Sequence, residues 1–133
     1  MAQGPSANKN RGIRPRTASG ARAERVVETY LVEHGFVVLG RNVRVGYLEI
    51  DLLARQGDLV VVVEVRHRGE SSWQGPFESI SEAKRGRLRR AGKILWRARF
   101  ARDPTVNRMR FDVAAVRFGV DDVASVEYVA AAV

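Results

Sequence analysis

From residue 21 onward the apolar positions fall into helical and strand rhythms. Across residues 21–34, Ala23, Val26, Val27, Tyr30 and Leu31 keep the i, i+3, i+4, i+7, i+8 spacing of one buried helical stripe. Gly35 stands where such a helix stops. Glu24, one turn before Val27, sits at the edge of the stripe, so its carboxylate is expected near the seam between helix and core. Residues 36–39 read as a strand, followed by a polar, glycine-containing connection through Arg41, Asn42 and Arg44. Residues 48–53 alternate, with Leu48, Ile50 and Leu52 on one face and Glu49, Asp51 and Leu53 on the other. Gln56-Gly57-Asp58 is a turn, so residues 59–67 are expected back as an antiparallel partner. That third strand is apolar on both faces, which marks it as central.

Residues 69–78, with Trp73, Gly75 and Pro76, read as a loop. The spacing then predicts a helix over 80–102, opened by Ser79-x-x-Glu82 as a capping box. Strands over 110–118 and 125–130 end the chain. The order α-β-β-β-α-β-β gives an α/β domain with a central mixed sheet of about five strands flanked by helices, the strand order left open. One such domain is expected over 21–133. Residues 1–20, polar and basic with one isolated isoleucine, are expected to be a disordered arm.

Composition narrows the partners. Lys and Arg number 23 against 15 Asp and Glu, a net charge of +8, and the arm supplies half of it through Lys9, Arg11, Arg14 and Arg16. A nucleic acid is the expected partner for that balance. The helix over 80–102 carries nine cations from Lys84 to Arg102 with no acid between them, so intrahelical ion pairs do not explain them. Lys84, Arg85, Arg87 and Arg90, with Arg68 just past the third strand, are the expected phosphate contacts; a merely solvated face is the alternative. The absence of cysteine fits a cytoplasmic protein, and no run approaches the roughly 20 apolar residues of a membrane helix.

The chemistry concentrates in two strands. Val60, Val62, Glu64 and Arg66 share a face, so Glu64 interrupts a central, apolar position, where a lone carboxylate costs several kcal/mol. The Gln56–Asp58 turn brings Asp51 across from it. Two carboxylates held together repel unless a cation lies between them. Mg²⁺ or Mn²⁺ on Asp51 and Glu64, with the Val65 carbonyl as a backbone ligand, resolves the conflict and would activate water for phosphodiester hydrolysis. Arg66 would stabilise charge on the phosphate, and Glu24 could serve as a further carboxylate. A structural ion pair with Arg66 or Arg68 is the competing reading of the two acids.

Asp51 followed by Glu64-Val65-Arg66 on the next strand resembles the PD-(D/E)xK nuclease signature. The wider pattern is similar to the YraN-like family of small bacterial proteins. It comprises Ala23-Glu24, Tyr30-Leu31, Gly35, Asn42-x-Arg44, Glu49-Ile50-Asp51-Leu52, Val63-Glu64-Val65-Arg66-x-Arg68, Lys84 and Arg110-Phe111-Asp112-Val113. The resemblance implies a restriction-endonuclease-like fold, similar to archaeal Holliday-junction resolvases. It also implies a metal-dependent endonuclease acting on branched or single-stranded DNA, in recombination, repair or uptake. DNA is expected over RNA, with a homodimer and a branch-migration ATPase as further partners. Asp51 and Glu64 would be the metal ligands, Glu24 the helix carboxylate, and Arg66 would stand where many relatives have lysine. Arginine at 66, and Leu48 where a glycine commonly precedes Glu-Ile-Asp, depart from the pattern. Two other function classes remain in view: an inactive nucleic-acid-binding module on the same fold, and a protein-interaction subunit.

Overall fold

The structure, a computed structural model, describes residues 18–68 and 81–133, with Arg68 described by its backbone alone. Helix α1 (Ala18–Glu33) starts three residues before the predicted point, so residues 18–20 belong to it. It buries Ala23, Val27 and Leu31, spaced four apart along one face. Its end is a Schellman turn in which Phe36 N–H donates to Leu31 O at 2.9 Å and Gly35 takes φ +87. That positive φ favours glycine, and a Cβ at 35 would also displace the tip of Gln56, whose Nε2 would lie 2.8 Å away.

Strands β1 (Val37–Val45), β2 (Leu48–Gln56) and β3 (Leu59–Arg68) form an antiparallel meander. Strand β1 runs straight through the stretch expected to be a connection. It is an edge strand, and its Arg41 and Arg44 face solvent where a loop's residues would. Its register shifts between Val38 and Gly40, and Asn42 adopts φ 48. Helix α2 (Glu82–Leu95) ends in a wider π turn over Trp96–Phe100 and leads to β4 (Arg108–Phe118), which pairs parallel to β3. Strand β5 (Ala124–Val129) closes the far edge antiparallel to β4. The sheet order β1-β2-β3-β4-β5 makes this a mixed, open, five-stranded α/β sheet with β3 at its centre.

Helix α1 packs on Leu52, Ala54, Val61, Val63, Ala114 and Val116, and α2 covers Ile50, Leu53, Val60 and Val62 on the other face. Helix α2 is shorter than the pattern predicts, and its cap is Ser81, whose Oγ accepts Lys84 N–H at 3.1 Å. Ser79, Ile80 and Trp73 lie outside the described residues. The expectation that Leu48, Ile50 and Leu52 share a face is corrected: Ile50 lies under α2 and Leu52 under α1. The alternation slips at the residue between them, Asp51.

A second buried acid ties down the chain's end. Asp112 is 1 % exposed and receives both the Nε and Nη2 of Arg110 at 2.9 Å, the Tyr128 hydroxyl at 2.5 Å and Ala131 N–H at 2.9 Å. Burial and the adjacent Asp112 carboxylate push the Tyr128 hydroxyl far above the ordinary phenol range. Tyr128 therefore stays a donor, and Asp112 is a structural anchor held by Arg110, Tyr128 and Ala131.

Candidate functional site

Strands β2 and β3 pair from the turn up to Leu52 opposite Val63. One step further the next pair would be Asp51 and Glu64, and there a side chain takes over from the backbone ladder. Asp51 Oδ2 accepts the Val65 N–H at 2.8 Å. The sheet forks at this point, which is why the face alternation of β2 slips. A strand residue presents its N–H and C=O to the same neighbour, so the Val65 carbonyl points into the same gap.

Glu64 is 5 % exposed and continues the α2 face set by Val60 and Val62. Lys84 Nζ lies 2.8 Å from its Oε2, and Arg66 Nη1 lies 3.8 Å from the same oxygen. Lys84 belongs to the first turn of α2, where the Ser81 cap fixes its backbone. Lys84, one of the expected phosphate contacts, thus lies within the carboxylate cluster. Only its place one turn inside a capped helix hinted at a fixed position; no spacing ties a helix residue to a strand residue twenty positions earlier.

Asp51 is half-buried between α1 and α2. Burial and then the Glu64 carboxylate push its carboxyl well above the usual range; the Val65 N–H opposes this, Glu24 adds to it, and Lys84 opposes it. Glu24 therefore acts on the site from α1. Its carboxylate takes Asn42 Nδ2 at 3.3 and 3.4 Å, and the β1–β2 register sets Asn42 level with Asp51. The left-handed backbone of Asn42 turns that amide toward α1. A cavity of about 410 Å³ opens beside Glu24, between Arg25, Glu28, Arg41 and Asn42.

The residues expected together are thus together: Asp51, Glu64, Val65 and Arg66 meet at the fork, with Glu24 reaching it from the side. The donor set suits Mg²⁺ or Mn²⁺, which bind through one or two carboxylates and keep the rest of their shell as water. The two carboxylates repel at the fork, while Lys84 and Arg66 lie beside Glu64. Among the described residues no three His, Cys, Asp or Glu side chains converge tightly enough for an all-protein cage. Arg85 is half-buried, and Arg87 and Arg90 are exposed on α2. His34 stacks on Tyr30 with ring centroids 4.0 Å apart, away from the fork.

The mixed five-stranded sheet, flanked by a helix on each face and split at a carboxylate pair, defines an α/β protein of the restriction-endonuclease-like arrangement. Residues 23–116 match the sequence profile of the family described as uncharacterised protein family UPF0102, the YraN family. A UPF0102 protein of Sorangium cellulosum is 49 % identical over 117 residues, covering 88 % of this chain and 81 % of that protein. One from Anaeromyxobacter is 40 % identical over 105 residues, 77 % of this chain and 75 % of its own. One from Kineococcus radiotolerans is 40 % identical over 121 residues, covering 89 % and 95 %. The chain belongs to the UPF0102 family. Among the described residues no helix is long and apolar enough to cross a membrane.

Proposed function

We propose that the protein is a Mg²⁺- or Mn²⁺-dependent endonuclease whose site is the fork between β2 and β3. The observation that carries this reading is the meeting of Asp51 and Glu64 where the backbone ladder gives way to the Asp51–Val65 hydrogen bond. Asp51, Glu64 and the Val65 carbonyl would hold the cation, which when bound polarises a phosphoryl oxygen and activates water. The protein's own groups do the rest. Val65 N–H fixes one oxygen of Asp51, leaving the carboxylate oriented across the gap. Arg66 sets a permanent cation beside Glu64 for the charge that grows on the phosphate. Lys84 brings the titratable amine that arginine at 66 does not provide, so the departure from the nuclease pattern at 66 is met from α2. Glu24, held by Asn42, is a positioning carboxylate on the α1 side.

The cations of α2 support a nucleic acid as substrate, and the YraN-like resemblance supports branched or single-stranded DNA over RNA. A homodimer supplies the two sites needed to cut paired strands. The branch-migration ATPase and a cytoplasmic role in recombination, repair or uptake rest on the resemblance alone. One observation favours a second reading, a nucleic-acid-binding module without hydrolysis: Lys84 already neutralises Glu64, which lessens its need for a metal.

Labelled four-way junction, flap and single-stranded DNA, incubated with Mg²⁺, Mn²⁺ or EDTA, distinguish the two. Wild type should cut at least one substrate with metal only, and Asp51→Asn and Glu64→Gln should each abolish cutting while still binding. Salt-sensitive binding with no cutting of any substrate would leave the binding module.

A further inference from the structure

A second cavity lies between α2 and β4. It holds about 310 Å³, at the small end of ligand sites, and its walls are almost wholly apolar: Trp96, Met109 and Phe111 around the backbone of Gly92. Gly92 matters because any Cβ there would fall 2.2 Å from the Phe111 ring, so its absence lets that ring lie against the helix. Trp96 opens the π turn that ends α2, and such widened turns reset the direction of side chains at binding sites. It remains half-exposed while packing against Phe100, ring centroids 6.2 Å apart.

The rim of this apolar cavity carries a single sign of charge. Among the described residues, Arg89, Lys93 and Arg97 border it, no acid does, and none of the three has an ion-pair partner. An aromatic platform between unpaired cations is the combination that takes a nucleobase with the phosphates on either side of it. Its place is also telling. Phe111 lies opposite Val62 on the parallel β4, on the face that carries Glu64 two residues further along β3. Gly92 is eight residues beyond Lys84 on α2, roughly 12 Å of helix. Lys84, Arg85 and Arg89 mark a basic track between the fork and the cavity.

We infer that the Trp96–Met109–Phe111 cavity is a seat for one unpaired nucleobase of a single-stranded segment, whose backbone crosses the cations of α2 toward the Asp51–Glu64 fork. Duplex bases are stacked and cannot enter, so the seat selects single strands or the unpaired arm of a branched DNA. The inference rests on the nuclease reading only in taking nucleic acid as the ligand.

The test uses the full chain in EDTA, where no cleavage intervenes. Trp73→Phe leaves Trp96 as the sole tryptophan of the two in the sequence. Titrating that protein with a short oligothymidine should quench Trp96 emission saturably, while a blunt duplex of equal length should not. Trp96→Leu should weaken oligothymidine binding roughly ten-fold or more while changing duplex binding by less than about two-fold, and Trp96→Phe should retain most of the affinity. If Trp96→Leu does not fold, the quenching titration decides alone. Absence of quenching overturns the inference, as does equal quenching by poly-glutamate, which would make the cavity a seat for an acidic protein. Metal-dependent cutting without quenching overturns this inference and leaves the nuclease standing. Quenching without cutting overturns the nuclease and leaves the seat.

Discussion

Asp51 carries the cost of the site. With its carboxyl pushed well above the ordinary range by burial and by Glu64, its charged form is worse off folded than unfolded. A carboxyl raised on folding contributes no penalty below its unfolded pKa and costs stability progressively as pH rises through its folded one. Asp51→Asn should therefore raise the melting temperature at neutral pH in EDTA, and the gain should vanish near about pH 2.5, well below the ordinary aspartate value, where both states are protonated. Thermal denaturation at the two pH values checks this; a gain that is equal at both would point to packing instead of charge. Asp112 is the opposite kind of acid, fully partnered by Arg110, Tyr128 and Ala131. Asp112→Ala leaves the half-buried Arg110 guanidinium and the Tyr128 phenol without their acceptor, and urea unfolding should show a loss of about 3 kcal/mol. Tyr128→Phe removes one bond to a charged acceptor and should cost about 1.5–3 kcal/mol.

At the scale of elements, α2 links fold and function because one helix carries the Ser81 cap, the Lys84 ammonium and the row of cations. Loss of the cap in Ser81→Ala should cost about 1 kcal/mol of stability and should loosen Lys84 before it loosens the core. Arg87 and Arg90, exposed and expected at phosphates, should each take about one unit from the slope of log affinity against log salt when changed to Gln. An unchanged slope in both variants would move the DNA path elsewhere. Much of this was legible beforehand: α1, β3 and the β2–β3 turn followed from periodicity and from Gly57. What escaped the pattern was governed by tertiary context. Strand β1 hid behind Arg41, Asn42 and Arg44 because an edge strand is polar in the way a loop is. The face switch between Ile50 and Leu52 escaped because one side chain, Asp51, takes a hydrogen bond that alternation assumes belongs to the backbone. Lys84 was visible as a cation but its partner was not, since Glu64 and the helix meet only once β4 has been laid parallel to β3.

Across the whole molecule, the sheet is closed by an apolar core on both faces and opened at one point, where β2 and β3 part around two acids. The core depends on β3, whose Val60 and Val62 face α2 while Val61 and Val63 face α1. That strand places Glu64 two residues beyond Val62, so rigidity of the centre is what aims the carboxylate. The basic helix on one side and the cavity beside Glu24 on the other give the fork two approaches. Everything proposed for the fork turns on its taking a divalent cation. The most direct measurement is calorimetric titration of Mn²⁺ into metal-free wild type, Asp51→Asn and Glu64→Gln. Saturable binding to the wild type that is lost in both variants is the expected result. Failure of the wild type to bind, or binding that survives both substitutions, would contradict it.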